Sequence, residues 1–299
     1  MTWSLFRWIW RVEGPVHIGT APAGSLNRCR LYVPARALWG ALTTELARHE
    51  AGNGDPDYRA VGEHLRSDAR FTYLYPAEFD GKEWCAWLPS YQDGQGLVWK
   101  REDRREDDDG LSDRRIRVRL VSTRTATAID PESNAAAEGS LRETECINTH
   151  WRNEDGTPAG PVALTGYVLT RADGKSNLAK LAAITVGGDS RYGLGRLRRI
   201  GGMESESQIF RLNVTLEDEQ PFVATATLLA HGRADTQRKD DNNKTNREII
   251  LGDQEAIGGW DYGNSGVQRI AGPSWSPGSQ TQSAREWVIT DEGTWSLRS

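Results

Sequence analysis

Residues Gly187 to Gly202, GGDSRYGLGRLRRIGG, restrict the possible folds more than any other stretch of the chain. Glycine lacks a Cβ and tolerates positive φ, so the segment predicts a tight bend that a ligand backbone can approach closely. A helical pattern precedes it, with Leu178, Leu181 and Ala182 at i, i+3 and i+4 after Asp173-Gly174, and an extended pattern follows from Gly195 to Ile200. Dinucleotide-binding and Walker loops need the opposite order, strand then glycines then helix, and a Walker loop also closes on Gly-Lys-Ser/Thr. Nucleotide hydrolysis is therefore set aside. Arg191, Arg196, Arg198 and Arg199 sit on the bend with Asp189 as its only acid, a charge pattern suited to phosphate. Gly187, Gly188, Tyr192, Gly193 and Gly195 complete the candidate contact surface, although a hairpin with solvated arginines explains the same residues.

Toward the N-terminus, Phe6, Trp8, Trp10 and Val12 share one parity while Arg7 and Arg11 take the other, which predicts a half-buried strand ended by Gly14-Pro15. Pro34 then opens a predicted helix in which Leu38, Ala41, Leu42 and Leu46 recur at helical spacing, because a first-turn proline gives up no hydrogen bond. Ala51 to Asp57 breaks the pattern, and Phe71 to Tyr75 and Trp84 to Leu88 read as aromatic strands around an Asp80-Gly81 turn. The run from Lys100 to Asp113 offers almost nothing to bury and predicts an exposed loop. Arg115, Arg117 and Arg119 alternate with Ile116, Val118 and Leu120, predicting a strand with one basic and one apolar face. That basic face is either a second phosphate contact or a solvated edge that discourages aggregation. Gln208 to Leu216, Phe222 to Ala230, Glu248 to Leu251, Val267 to Ala271 and Glu286 to Thr290 predict a β-rich tail. Its polar interruption, Arg233 to Arg247, has the composition of a segment disordered when free.

A chain of 299 residues holds one large or two modest domains. Its formal charge of −5 does not favour nucleic acid overall, so any such site must be a local basic patch. Twelve tryptophans and eight tyrosines supply either core volume or flat surfaces for stacking and subunit contact. Cys29, Cys85 and Cys146 are odd in number and widely spaced, which argues against a disulfide framework or a zinc site and for a cytoplasmic location. The opening MTWSLFRWIWRVEG is broken by Arg7 and Arg11 and falls short of the ~18 apolar residues of a membrane span, so neither signal peptide nor anchor is expected.

Three segments together resemble the RAMP superfamily, the repeat-associated subunits of CRISPR effector complexes, and most of all those of type III systems. They are GPVHIGTAPAGSLNRCRLYVPARALWGAL from Gly14 to Leu42, TRTATAIDPESNAAAEGSLRETECI from Thr123 to Ile147, and the glycine bend from Gly187. GWDYGNSGVQRIAGPSWSPGS, from Gly259 to Ser279, is similar to the ending of the subclass that caps the crRNA 5′ handle. The resemblance implies an α+β fold with a ferredoxin-like, RNA-recognition-type βαββαβ core and insertions. That core would span residues 1–205, with a charged insertion at 100–113 and the glycine-rich loop at 187–195; a β-rich C-terminal domain, or a second degenerate ferredoxin-like half, would span 206–299. The partners implied are crRNA, with target RNA as a further candidate, and other effector subunits, with no membrane. Bend amides and arginines would position RNA backbone without reading sequence, leaving Tyr192, Trp39 and the arginine strand as candidates for reading the handle.

In this superfamily the target-slicing backbone subunits carry an aspartate between the first strand and the first helix. Here that loop, Gly19 to Pro34, holds no Asp or Glu. Metal-assisted cleavage lacks its carboxylate, and neither metal nor cofactor is expected. A metal-free ribonuclease needs a general base and acid, for which His17, His49 and Asp130 are the candidates. Yet His17 beside a strand end fits a structural hydrogen bond, Asp130 before Pro131 fits a turn, and Glu138, Glu143 and Glu145 read as surface or hairpin residues. Two functions stay open: a non-catalytic crRNA-binding assembly subunit, and a RAMP-type endoribonuclease acting on crRNA or target RNA.

Overall fold

The computed structural model describes residues 3–104, 110–171, 177–216, 219–233, 237–239, 245–247, 250–261 and 267–298. The first strand, β1 (Ser4–Val12), buries Phe6, Trp8, Trp10 and Val12 and exposes Arg11, as the alternation predicts. It runs antiparallel to Ala163–Thr170 on one side and to Arg196–Ser205 on the other. Ala69–Phe71 and Tyr75–Phe79 both pair antiparallel with the far edge of Ala163–Thr170, so the second strand of the core is split in two. The resulting order, fourth, first, third, second, is ferredoxin-like, and the fold is α+β around that core with a β-rich C-terminal region. Ala163–Thr170 is buried at every position and carries no charge, as a strand covered on both faces requires.

Helix α1 (Ala35–Ala51) starts directly after Pro34 and buries Leu38, Leu42 and Leu46. Nothing in the sequence reading predicts α2 (Tyr58–Asp68), because Gly62 interrupts its short apolar stripe of Val61 and Leu65. The Asp57 side chain caps it by accepting the Ala60 N–H at 2.9 Å. Gly62 is needed because Trp39 packs onto it and donates its indole N–H to the Gly62 carbonyl at 3.1 Å, with the Arg66 guanidinium 4.4 Å from the ring. Trp39 therefore cements α1 to α2.

Two local expectations are corrected. The arginine-rich run is not a strand: Asp113–Leu120 forms helix α3, and only Val121–Ala126 is extended. Ser112 caps α3 through the Arg115 N–H, Asp113 sits favourably in the first turn, and Ile116 and Leu120 are buried one helical turn apart while Val118 is exposed. A six-residue alternation fits both periods, and the cap decides. The charged run before it is also better anchored than its composition suggests. Glu102 is 6 % exposed, pairs with Arg7 at 2.8 Å and accepts the Ala86 N–H at 2.9 Å, and Lys100 and Arg101 belong to the strand Gly96–Arg101. The helix expected over Leu178, Leu181 and Ala182 is a correction too: among the described residues only Asn177 and Leu178 are helical, Ala179 and Lys180 turn, and a strand begins at Ala183, with Leu178 and Leu181 buried; residues 172–176 lie outside the described residues.

The tail forms a second sheet that includes Leu212–Thr215, Phe222–Thr227, Gln280–Ile289 and Trp295–Leu297. Most of the polar interruption lies outside the described residues, apart from the paired strands Gln237–Lys239 and Thr245–Arg247. The tryptophans fill cores: Trp3, Trp8, Trp10, Trp99, Trp151, Trp287 and Trp295 are almost fully buried. Among the described residues no helix is long and apolar enough to cross a membrane.

A buried hydrogen-bond chain joins the two sheets. Tyr73 donates to His231 Nδ1 at 2.6 Å, and His231 Nε2–H donates to Glu255 Oε1 at 2.7 Å, which fixes the tautomer because a carboxylate only accepts. Tyr32 donates to the same oxygen at 3.1 Å and Arg30 to Oε2 at 2.6 Å. Partial burial pushes Glu255 upward, but the His231 hydrogen bond and the Arg30 charge prevail and hold it down at about 2. Burial lowers His231, against the pull of Glu255. Both folded-state shifts are downward, so stability is full above the unfolded histidine range, near pH ~6.5, falls as His231 is protonated in the unfolded chain, and falls again between about 4.5 and about 2. Urea unfolding across that range should show the decline. Glu255→Gln should cost about 2–4 kcal/mol at pH 7 and flatten the acid limb, the carboxylate being 25 % exposed.

Candidate nucleic-acid interface

The site is organised around Pro15 to Ile18, just past the end of β1. Val16 and Ile147 exchange backbone hydrogen bonds at 3.0 and 2.8 Å. The His17 carbonyl accepts the Gly188 N–H at 3.0 Å, and the Pro15 carbonyl accepts the Gly195 N–H at 2.8 Å. Leu26–Asn27 pairs in parallel with Glu143 and Thr144, and Asn27 Nδ2 donates to the Glu143 carbonyl at 3.1 Å. Three segments far apart in sequence are thus knitted into one corner.

Gly187 and Gly195 have φ of +83° and +86°, and a Cβ on either would strike a backbone carbonyl oxygen, that of His17 or of Val186. These glycines let protein backbone approach protein backbone, where the sequence suggested approach by a ligand. The amides of Gly188, Tyr192, Gly193 and Gly195 are all bonded within the protein. What the bend presents outward is side chains.

Arg191 is exposed and makes no ion pair among the described residues. Arg196 and Arg198 are 56 % and 53 % exposed and share one carboxylate, their Nε atoms lying 3.2 and 2.5 Å from Glu13. Two guanidiniums on one carboxylate leave a positive surplus. The Arg198 hydrogen bond, with that of Arg196, holds Glu13 below the usual carboxylate range despite some desolvation. Arg11 is opposite Arg198 in the register and exposed on the same sheet face, a cation the sequence reading used only as strand punctuation. Arg199 is different: it donates to the carbonyls of Leu178 and Ala179 at 3.1 and 2.6 Å and anchors the turn before the bend.

A cleft of about 420 Å³ opens between the bend and the hairpin of Val121–Ala126 and Arg142–Ile147. Arg124, Thr125 and Arg142 line one wall, and Asp189, Tyr192 and Leu194 line the other. Arg124 and Arg142 were not candidates from sequence, because only the hairpin fold turns them toward the bend. The Arg142 guanidinium lies 5.2 Å from the Tyr192 ring, which is 71 % exposed.

The remaining candidates are placed elsewhere. Arg117 bonds Asp113 at 2.7 Å, the Cys29 carbonyl at 3.0 Å and Glu145 at 3.4 Å; Glu145 in turn accepts the Cys29 N–H at 2.9 Å. Arg119 pairs with Glu78 at 2.8 Å and lies over Trp151. Both brace the fold, whereas Arg115 is 62 % exposed and pairs with Glu154 at the surface. His17 Nδ1 is 2.7 Å from the Glu145 carbonyl, which fits the structural hydrogen bond expected at a strand end. Asp130 accepts from Ser133 Oγ at 2.6 Å and the Glu132 N–H at 3.1 Å, bonds that lower its pKa and close a turn. His49 is exposed in the last turn of α1. Asp80, Glu83 and Cys85 cluster together, but Asp80 is committed to the amides of Lys82 and Glu83, and burial raises the Cys85 thiol.

The fold is similar to that of chains in two cryo-EM structures of the Type III-B Cmr-beta complex. Against the complex bound to cognate target RNA the TM-score is 0.55 at 14 % identity, covering 92 % of this chain and 86 % of that one. Against the complex bound to cognate target RNA and AMPPnP it is 0.54 at 14 % identity, covering 92 % and 85 %. No protein-family model and no curated protein matches the sequence, so the likeness is one of fold.

The two roles of glycine in the bend separate by mutation. Gly195→Ala should cost about 2 kcal/mol or more in urea unfolding, since left-handed strain adds to a backbone collision. Gly193→Ala, at φ +80° with open space around it, should cost only about 1 kcal/mol.

Proposed function

We propose that this chain is an RNA-holding subunit of a type III CRISPR ribonucleoprotein effector, of RAMP type and closer to the handle-capping than to the backbone subclass, and that it binds crRNA without cutting it. The observation that carries the reading is the convergence of the three family-like segments on one corner, where the second and third form a cleft lined by Arg124 and Arg142 and the bend beside it carries Arg191, Arg196 and Arg198. The likeness of fold to chains of complexes that hold target RNA supports it. In this reading the RNA backbone runs along Arg191, Arg196, Arg198 and Arg11, with Arg124 and Arg142 on the hairpin side. Residues 1–205 hold the RNA, and 206–299 form the β-rich unit packed against them. Ile129 and Leu141, 62 % and 60 % exposed beyond the hairpin strands, suit contact with a neighbouring subunit.

Non-cutting behaviour is supported by the side chains a ribonuclease would need. Asp130 is held in its turn, His17 is bonded to a carbonyl, and the Gly19 to Pro34 loop has no carboxylate. Incubation with labelled repeat RNA, with and without magnesium, should give binding and intact RNA. Cleavage abolished by His17→Ala or Asp130→Ala would establish the endoribonuclease instead.

The charge argument has its own test. Arg191→Ala with Arg196→Ala should weaken crRNA binding and reduce the slope of log affinity against log salt by up to about 1.4, as two fewer phosphates are neutralised on a single strand. An unchanged slope would remove the bend from the interface.

A further inference from the structure

Resting on that RNA-binding reading, we propose that the cleft between hairpin and bend is a stacking slot in which one unpaired nucleobase lies on the ring of Tyr192. Tyr192 stands out as the most exposed aromatic side chain described, well ahead of Phe79 at 47 % and Tyr58 at 46 %. None of the described tryptophan side chains is exposed, whereas Tyr192, at 71 %, is the most exposed large apolar side chain described. A ring left in water at the tip of a turn contributes nothing to the core, and its neighbours show what it is suited to. Arg142 covers it at 5.2 Å, a cation–π contact that fixes the ring plane and leaves ring surface open. The cleft, at about 420 Å³, is of small-ligand size. Ala126, Ala128 and Leu194 give it an apolar lining.

Charge distinguishes a base from a phosphate as the occupant. Asp189 lines the same wall as Tyr192 and would repel a phosphate seated there, while its carboxylate can accept the exocyclic amino hydrogens of a base. Arg124 on the opposite wall, and Arg191 on the bend, supply cations for the phosphates on either side of the stacked nucleotide. The slot therefore takes one splayed nucleotide of a single strand, base inward and backbone along the rim, as sequence-tolerant stacking platforms do.

The test uses the full chain and a single-stranded RNA carrying 2-aminopurine, whose fluorescence falls on stacking. Binding should quench it. Tyr192→Ala should relieve the quench and weaken binding about 5- to 150-fold with the salt slope unchanged, because stacking releases no counterions. Tyr192→Phe should keep both quench and affinity, since the hydroxyl is not required. Quench and affinity retained in Tyr192→Ala would overturn the slot while leaving the RNA-binding reading intact. Failure of the wild-type chain to bind the oligonucleotide would overturn both.

Discussion

The backbone hydrogen bonds of Pro15 to Ile18 are the constraint on which the cleft depends. This segment continues β1, a strand paired on both sides within the ferredoxin-like core, so whatever bonds to it is referenced to that sheet. The hairpin bonds through Ile147 and the bend through Gly188 and Gly195. Buried main-chain groups must find partners, so moving either wall of the cleft would orphan donors and acceptors on both sides. Cys29 completes the packing: the Ile18 N–H donates to its sulfur at 3.3 Å, and burial drives its thiol up to about 12, which leaves it an uncharged filler and not a nucleophile.

Net charge is a poor guide to this surface because several arginines are already committed to carboxylates within the fold. Arg7, Arg101, Arg117 and Arg119 are largely buried and face carboxylates, so they contribute little field outside the protein. Arg196 and Arg198 divide a single carboxylate, and Arg191 pairs with none among the described residues. With charges screened over roughly 8–10 Å at ordinary ionic strength, a strand passing the bend senses that local surplus and not the −5 of the whole chain.

The parts of the fold legible in the sequence are those whose local pattern and tertiary setting agree. In β1 the Phe6 to Val12 alternation matches a strand with one buried face, and in α1 proline, period and terminating glycine all point one way. In α3 the alternation of six residues pointed to a strand, while the deciding signal was the polar cap Ser112-Asp113 just outside the window. In α2 a glycine required by Trp39 erased the pattern it belongs to. The bend itself was visible, yet the task of its glycines was not, since Gly187 is packed against His17, a residue from a distant chain segment that only the fold brings there. Arg124 and Arg142 were hidden for the same reason, and so was the His231–Glu255 chain, whose members are each unremarkable alone.

That last chain also sets the electrostatics of the Gly19 to Pro34 loop. Arg30, within the loop, donates Nη1 to the Gly19 carbonyl and Nη2 to Glu255, so the C-terminal sheet reaches across and fixes the loop's shape. This loop has no carboxylate of its own and carries two arginines, Arg28 exposed and Arg30 turned inward. A divalent cation brought to that position would meet guanidinium charge, and the nearby carboxylate, Glu255, already accepts from Arg30, Tyr32 and His231. Removing Glu255 from that set to ligate a metal would leave Arg30 and two other donors partly buried and unmatched, a cost of the same order as breaking a buried ion pair. The electrostatics of the loop thus favour an anion over a divalent cation.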